Sequence, residues 1–154
     1  MAWPVVERMI RERFPEVPQV STAELGEWLQ TPGKALPLLL DARTSEEWAV
    51  SHLPGALLAT SEDQALVELQ SAEQNHPIVV YCSVGYRSAV LARQLIARGF
   101  TNVHNLEGSI FAWANEGRPV YQGEREVRQV HPYNKVWAQL LNRELWAATP
   151  ELGD

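Results

Sequence analysis

Ile78-Val79-Val80-Tyr81-Cys82-Ser83-Val84-Gly85-Tyr86-Arg87-Ser88 is the stretch on which the reading of the fold turns. Ile78 to Tyr81 is a short apolar run without alternation, as expected for a strand buried on both faces of a parallel sheet. Cys82, the only cysteine in the chain, ends that run. Gly85 then offers the positive φ that a sharp turn needs. From Arg87 to Arg98 the residues Val90, Leu91, Leu95 and Ile96 recur at helical spacing, and Gly99 supplies a C-terminal stop. Strand, tight loop and helix in this order put Cys82 at the carboxyl edge of a sheet, where open α/β folds bind ligands.

The same pattern continues on either side. Leu36-Pro37-Leu38-Leu39-Leu40 runs into Asp41, Val103-His104-Asn105-Leu106 is a third run, Ala56-Leu57-Leu58-Ala59 a weaker fourth, and Gln19-Val20 a short edge strand. Between them, Ser21-Thr22-Ala23-Glu24 reads as a capping box opening a helix to about Leu29. A second helix is expected from Glu62 to about Ala72, with Ala65, Leu66 and Leu69 on one face, and a short one over Gly108–Asn115. The alternation predicts an α/β domain: a central, mostly parallel five-stranded sheet with helices on both faces. This core takes residues 17–121. An N-terminal helical extension occupies residues 1–16, with Val5, Met9, Ile10 and Phe14 on its apolar side. A C-terminal helical extension occupies residues 122–154, where Val136, Trp137, Leu140, Leu141, Leu145 and Trp146 form a stripe after Pro132. That stripe is expected to pack on the same domain, with a partner surface as its other use.

Composition narrows the function. The chain has 154 residues, 45% of them apolar and 21% charged, which suits one packed domain. Its net charge of −6 argues against nucleic acid and against an anionic membrane as partners. Charged residues interrupt the N-terminal segment, so neither a signal peptide nor a spanning helix is expected. A lone cysteine makes no internal disulfide, and His76, His104 and His131 lack ligand spacing, so a cytoplasmic protein without metal or cofactor is expected.

The loop itself suggests chemistry. The amides of Ser83, Val84, Gly85, Tyr86 and Arg87 can point inward as a nest, and the following helix adds its positive N-terminal end. Both favour a thiolate at Cys82, the nucleophilic form of the side chain. Arg87 either faces a bound anion or turns to solvent, and Ser88 either donates to the sulfur or caps the helix. A cysteine after an apolar strand is often only a small buried residue; the Cys-x-x-Gly-x-Arg-Ser spacing favours the reactive reading.

At these residues the sequence resembles the rhodanese (sulfurtransferase) family. The resemblance covers about residues 17–121. It rests on Leu40-Asp41-Ala42-Arg43 with Glu47-Trp48, on His52-Leu53-Pro54-Gly55-Ala56 and on the Cys82 loop. Arg98-Gly99-Phe100 and Leu106-Glu107-Gly108-Ser109, with Trp113 and Gly117, complete it. It implies a rhodanese-like fold and a catalytic Cys82 that takes sulfane sulfur from a small anion such as thiosulfate. The persulfide so formed would be held by Ser83, Val84, Gly85, Tyr86, Arg87 and Ser88 and unloaded onto a thiol or a protein acceptor. Four residues intervene between Cys82 and Arg87; tyrosine phosphatases have five, and the shorter loop suits one sulfur atom better than a phosphate. Ser51 and Ser109 stand where the family often has glycine. Asp41 faces the pocket or serves the structure, with Arg43 paired to Glu46 or Glu47. His52-Leu53-Pro54-Gly55 is read as a turn. The alternative function is a non-catalytic binding or regulatory module that uses the C-terminal stripe.

Overall fold

A computed structural model describes residues 2–149. Strands β1 (Gln19–Val20), β2 (Leu38–Asp41), β3 (Leu57–Leu58), β4 (Ile78–Tyr81) and β5 (Val103–Leu106) form one sheet in the order β1-β5-β4-β2-β3. Every pairing in it is parallel. All four residues of central β4 are buried, which explains why its sequence does not alternate. The register sets Asp41 opposite Tyr81, so β2 and β4 end together at the carboxyl edge.

Helices α1 (Trp3–Arg13), α2 (Thr22–Gln30), α3 (Ser45–Val50), α4 (Glu62–Glu68), α5 (Tyr86–Ala97) and α6 (Ser109–Asn115) flank the sheet. Helix α2 opens on the expected capping box, Ser21 with Glu24. Helix α3 opens on a second one, Thr44 with Glu47, in a stretch where the sequence reading assigned no helix. Helix α4 stops four residues before Ala72, because Gln70 and Ala72 make tighter bonds to Val67 and Leu69 instead of continuing the α ladder. Gly99 ends α5 at φ +101°, as expected of a C-terminal glycine.

The flanking pieces differ from expectation in detail. On α1 the buried stripe is Val6, Ile10 and Phe14, while Val5 and Met9 face outward. The i, i+4, i+8 set reaches the core, and the residues beside it do not. After α6 the chain forms a hairpin that the sequence reading missed, β6 (Val120–Gln122) with β7 (Arg125–Val127), turning at Gly123.

The C-terminal stripe is not one helix. It forms two short 3₁₀ turns, Trp137–Leu140 and Arg143–Leu145. Between them the Asn115 side chain donates to the Leu140 carbonyl (2.9 Å) and accepts the Asn142 N–H (2.8 Å). Those groups then need no helical ladder. Val130 pairs its backbone with Leu145 and Ala147, adding a second clamp. Leu140, Leu141 and Leu145 are buried in the domain's own core, whereas Val136 is exposed. No helix among the described residues is long and apolar enough to cross a membrane.

Candidate active site

Cys82 leaves β4 at the carboxyl edge with 1% of its surface exposed. Gly85, at φ +117°, folds the chain back so that its N–H points at Cys82 Sγ, 3.2 Å away. Any side chain at Gly85 is strained there by the backbone alone. Ser88 Oγ stands 3.4 Å from the sulfur but 2.6 Å from Asn105 Oδ1. Its single proton serves the nearer oxygen, so Gly85 is the firm donor to Sγ.

Two further residues brace the loop. Asn105 also donates to the Gly85 carbonyl (3.0 Å), locking the turn against β5. Ser109 accepts the Cys82 N–H (3.1 Å) and donates to the Leu106 carbonyl (2.9 Å). Its φ of +48° is glycine-like, and these two bonds offset the strain of a side chain there. The first turn of α6 completes the brace, Ile110 and Phe111 donating to the carbonyls of Cys82 and Ser83.

Arg87 is held by a carboxylate that the sequence reading did not assign to it. Its guanidinium grips Glu47 with two bonds of 2.8 and 2.9 Å and donates to Ser83 Oγ at 2.8 Å. Glu47 therefore serves the Cys82 loop and not Arg43. Arg43 instead pairs with Asp41 (2.7 Å), both side chains fully buried. Tyr81 donates to the same carboxylate at 2.6 Å and accepts the Leu53 N–H, while Arg43 also reaches the Ser51 carbonyl. Burial, then the Asp41 charge, pushes the Tyr81 phenol up, so it stays a donor. Asp41 serves the structure: it ties the ends of β2 and β4 together beneath the loop. His52 pairs its backbone with Tyr121 as a bridge and stacks on Trp48, and the expected turn follows it, with the Ala56 N–H donating to the Leu53 carbonyl around Pro54-Gly55.

The sulfur lies under a slot of about 90 Å³ lined by Cys82, Ser83, Val84, Tyr86, Arg87, Tyr133 and Trp137. A broader depression of about 380 Å³ shares Tyr86 and Arg87 with it and extends along Ala59 to Glu62 and Gln94. Glu47, Asn105, Tyr133 and Trp137 were not among the site residues expected from sequence. A buried asparagine inside an apolar strand was the one local signal, at Asn105. No cluster of potential metal ligands occurs among the described residues.

The rhodanese-like domain family matches this chain over residues 21–116, from the first residue before α2 to the end of α6. The chain belongs to that family. A sulfurtransferase of Allochromatium vinosum is 35% identical over 89 residues, 56% of this chain and 80% of that one. The probable adenylyltransferase/sulfurtransferase MoeZ of Mycobacterium tuberculosis is 34% identical over 101 residues, 65% of this chain. The chain spans only 25% of MoeZ. The crystal structure of a rhodanese-like domain protein from Staphylococcus aureus aligns with a TM-score of 0.56 at 32% identity, over 66% of this chain and 95% of that one. The rhodanese-like match stops before β6, so the hairpin and both 3₁₀ turns, with Tyr133 and Trp137, lie beyond it.

The Glu47–Arg87 pair makes a pH prediction for this rhodanese-like domain. Burial by itself would raise the Glu47 carboxyl; the hydrogen bonds and charge of Arg87, helped by Arg43 and the Thr44 N–H, overcome that and hold it at about 2. A carboxylate depressed in the folded state stabilises the fold above its unfolded value of about 4.5, and that stability is lost as pH falls toward 2. Glu47→Gln is expected to cost about 2–3 kcal/mol at pH 7 and progressively less between pH 4.5 and 2. Urea midpoints across that range measure it; an equal loss at every pH contradicts the assignment.

Proposed function

We propose that this protein is a sulfurtransferase that carries sulfane sulfur on Cys82. The observation that carries the reading is the Gly85 N–H aimed at Sγ from a glycine turn at the carboxyl edge of the sheet. A fixed backbone dipole there favours negative charge on sulfur and does not reorganise during reaction. The relatives named sulfurtransferase agree with it at the level of chemistry.

The cycle has two halves. The Cys82 thiolate attacks the outer sulfur of a donor such as thiosulfate; the new S–S bond forms as the donor's S–S bond breaks, and sulfite leaves with the electron pair. Cys82 now carries a persulfide. On this reading the amides of Ser83, Val84, Tyr86 and Arg87 hold its outer sulfur, beside the Gly85 N–H that donates to Sγ. Ser88 anchors the loop through Asn105. An acceptor nucleophile, a thiol or cyanide, then attacks that outer sulfur and returns the Cys82 thiolate. No cofactor or external oxidant enters the balance. A reducing cytoplasm, which keeps a lone thiol free, suits the cycle.

Steady-state kinetics test it, with thiosulfate or an alkyl persulfide as donor and cyanide as acceptor. Parallel double-reciprocal lines are expected, because donor product leaves before the acceptor reacts. Intersecting lines, or no thiocyanate from either donor, contradict the proposal.

A further inference from the structure

The sulfur-carrier reading leaves open what selects the donor, and the segment outside the family match bears on that. Tyr133 and Trp137 line the slot together with Cys82 and the loop that follows it. Their placement is built, not incidental. Tyr133 has φ +70°, a left-handed backbone that bulky residues rarely adopt. His131 Nδ1 holds that turn by accepting the Tyr133 N–H at 3.0 Å, and Asn134 Oδ1 accepts the N–H groups of Val136 and Trp137 at 3.1 and 3.0 Å. The Tyr133 ring lies against the Arg87 guanidinium, 4.0 Å from its centre. Strain of this kind persists where surrounding contacts over-determine it, and here those contacts hold an aromatic side chain in the lining of the slot that Cys82 shares.

The slot is narrow and carries little free charge. Its volume of about 90 Å³ is far below the roughly 300 Å³ at which ordinary small-molecule pockets begin. Among the described residues Arg87 is the only cation lining it, and both its terminal nitrogens bind the Glu47 carboxylate. Resting on the sulfur-carrier reading, we infer that Tyr133 and Trp137 determine donor specificity: they admit the terminal sulfur of a slender, unbranched organic persulfide and hinder donors that are broad at the sulfur. In that step Cys82–S⁻ attacks the outer sulfur of R–S–SH. The Cys82 S–S bond forms, the donor S–S bond breaks, R–S⁻ leaves with the electron pair, and the proton stays on the transferred sulfur.

Two readouts test the wall separately from the chemistry. The first is the rate at which Cys82 of the full chain is alkylated by slender iodoacetamide and by ring-shaped N-ethylmaleimide, followed by intact mass. The second is sulfur loading from n-butyl against tert-butyl persulfide. Trp137→Ala is expected to shift both slender-to-broad ratios at least tenfold toward the broad reagent, and Trp137→Phe to restore most of the difference. Tyr133→Gly opens the same wall while relieving the positive φ, so it supplies a variant that folds. Ratios unchanged in both Trp137→Ala and Tyr133→Gly overturn the inference. If no persulfide loads any variant while the alkylation ratio still shifts, the wall stands and the sulfur-carrier proposal fails.

Discussion

Cys82→Ser is expected to reduce sulfur transfer by on the order of 10³-fold or more, to the background of donor and acceptor mixed in buffer. The hydroxyl is nearly the size of the thiol but is a poor nucleophile toward sulfane sulfur, and no other described residue lining the slot carries a thiol. Arg87 is bound to Glu47, and Ser83 sits within that same pair. Stability should move little, by roughly 1 kcal/mol or less: the Ser109, Ile110 and Phe111 bonds that brace Cys82 do not involve its sulfur, and the serine hydroxyl can still accept the Gly85 N–H. Transfer assays and urea melts on the same preparation give both numbers. Residual transfer near the wild-type rate sinks the assignment of Cys82. A module that only binds partners predicts no transfer in either protein. Its main sequence support, the C-terminal stripe, is weakened because Leu140, Leu141 and Leu145 are buried within their own domain.

Arg43→Ala is expected to produce the largest loss of stability, about 3–5 kcal/mol. The substitution leaves the Asp41 carboxylate fully buried without its cation, with Tyr81 as its remaining side-chain donor. It also strips the Ser51 carbonyl of its bond from Nη2. For a domain of this length that loss lowers the melting temperature by roughly 10 °C. Adding Asp41→Asn should recover part of the loss, because the uncompensated charge then disappears. A drop below about 1 kcal/mol, or a double variant worse than the sum of the singles, contradicts a buried pair at the base of the site.

The parts of this architecture written in local pattern were legible from the chain. Ile78–Tyr81, Leu38–Asp41 and Val103–Leu106 announce buried strands because a parallel sheet covered on both faces needs continuous apolar residues. The strand–Cys82–Gly85–helix order then places the cysteine. Long-range pairings were not legible. Arg43 was expected to pair with Glu46 or Glu47 and pairs with Asp41 instead, because α3 carries Glu47 to Arg87, and only the fold decides that. The Thr44–Glu47 capping box was a readable signal of the same kind as Ser21–Glu24, so α3 was within reach. The tail was misread for a different reason. Its apolar spacing fits a helix, but Asn115 and Val130 offer its backbone partners elsewhere in the fold, and those tertiary bonds override the pattern. Tyr133 and Trp137 reach the site by that route, so no local motif marks them.

Sulfur carriage on Cys82 is read by intact-protein mass spectrometry after incubation with thiosulfate or an alkyl persulfide, with Cys82→Ala alongside. A gain of one sulfur atom is expected on the natural protein alone, removed by cyanide. No gain from either donor, or an equal gain on Cys82→Ala, would contradict it.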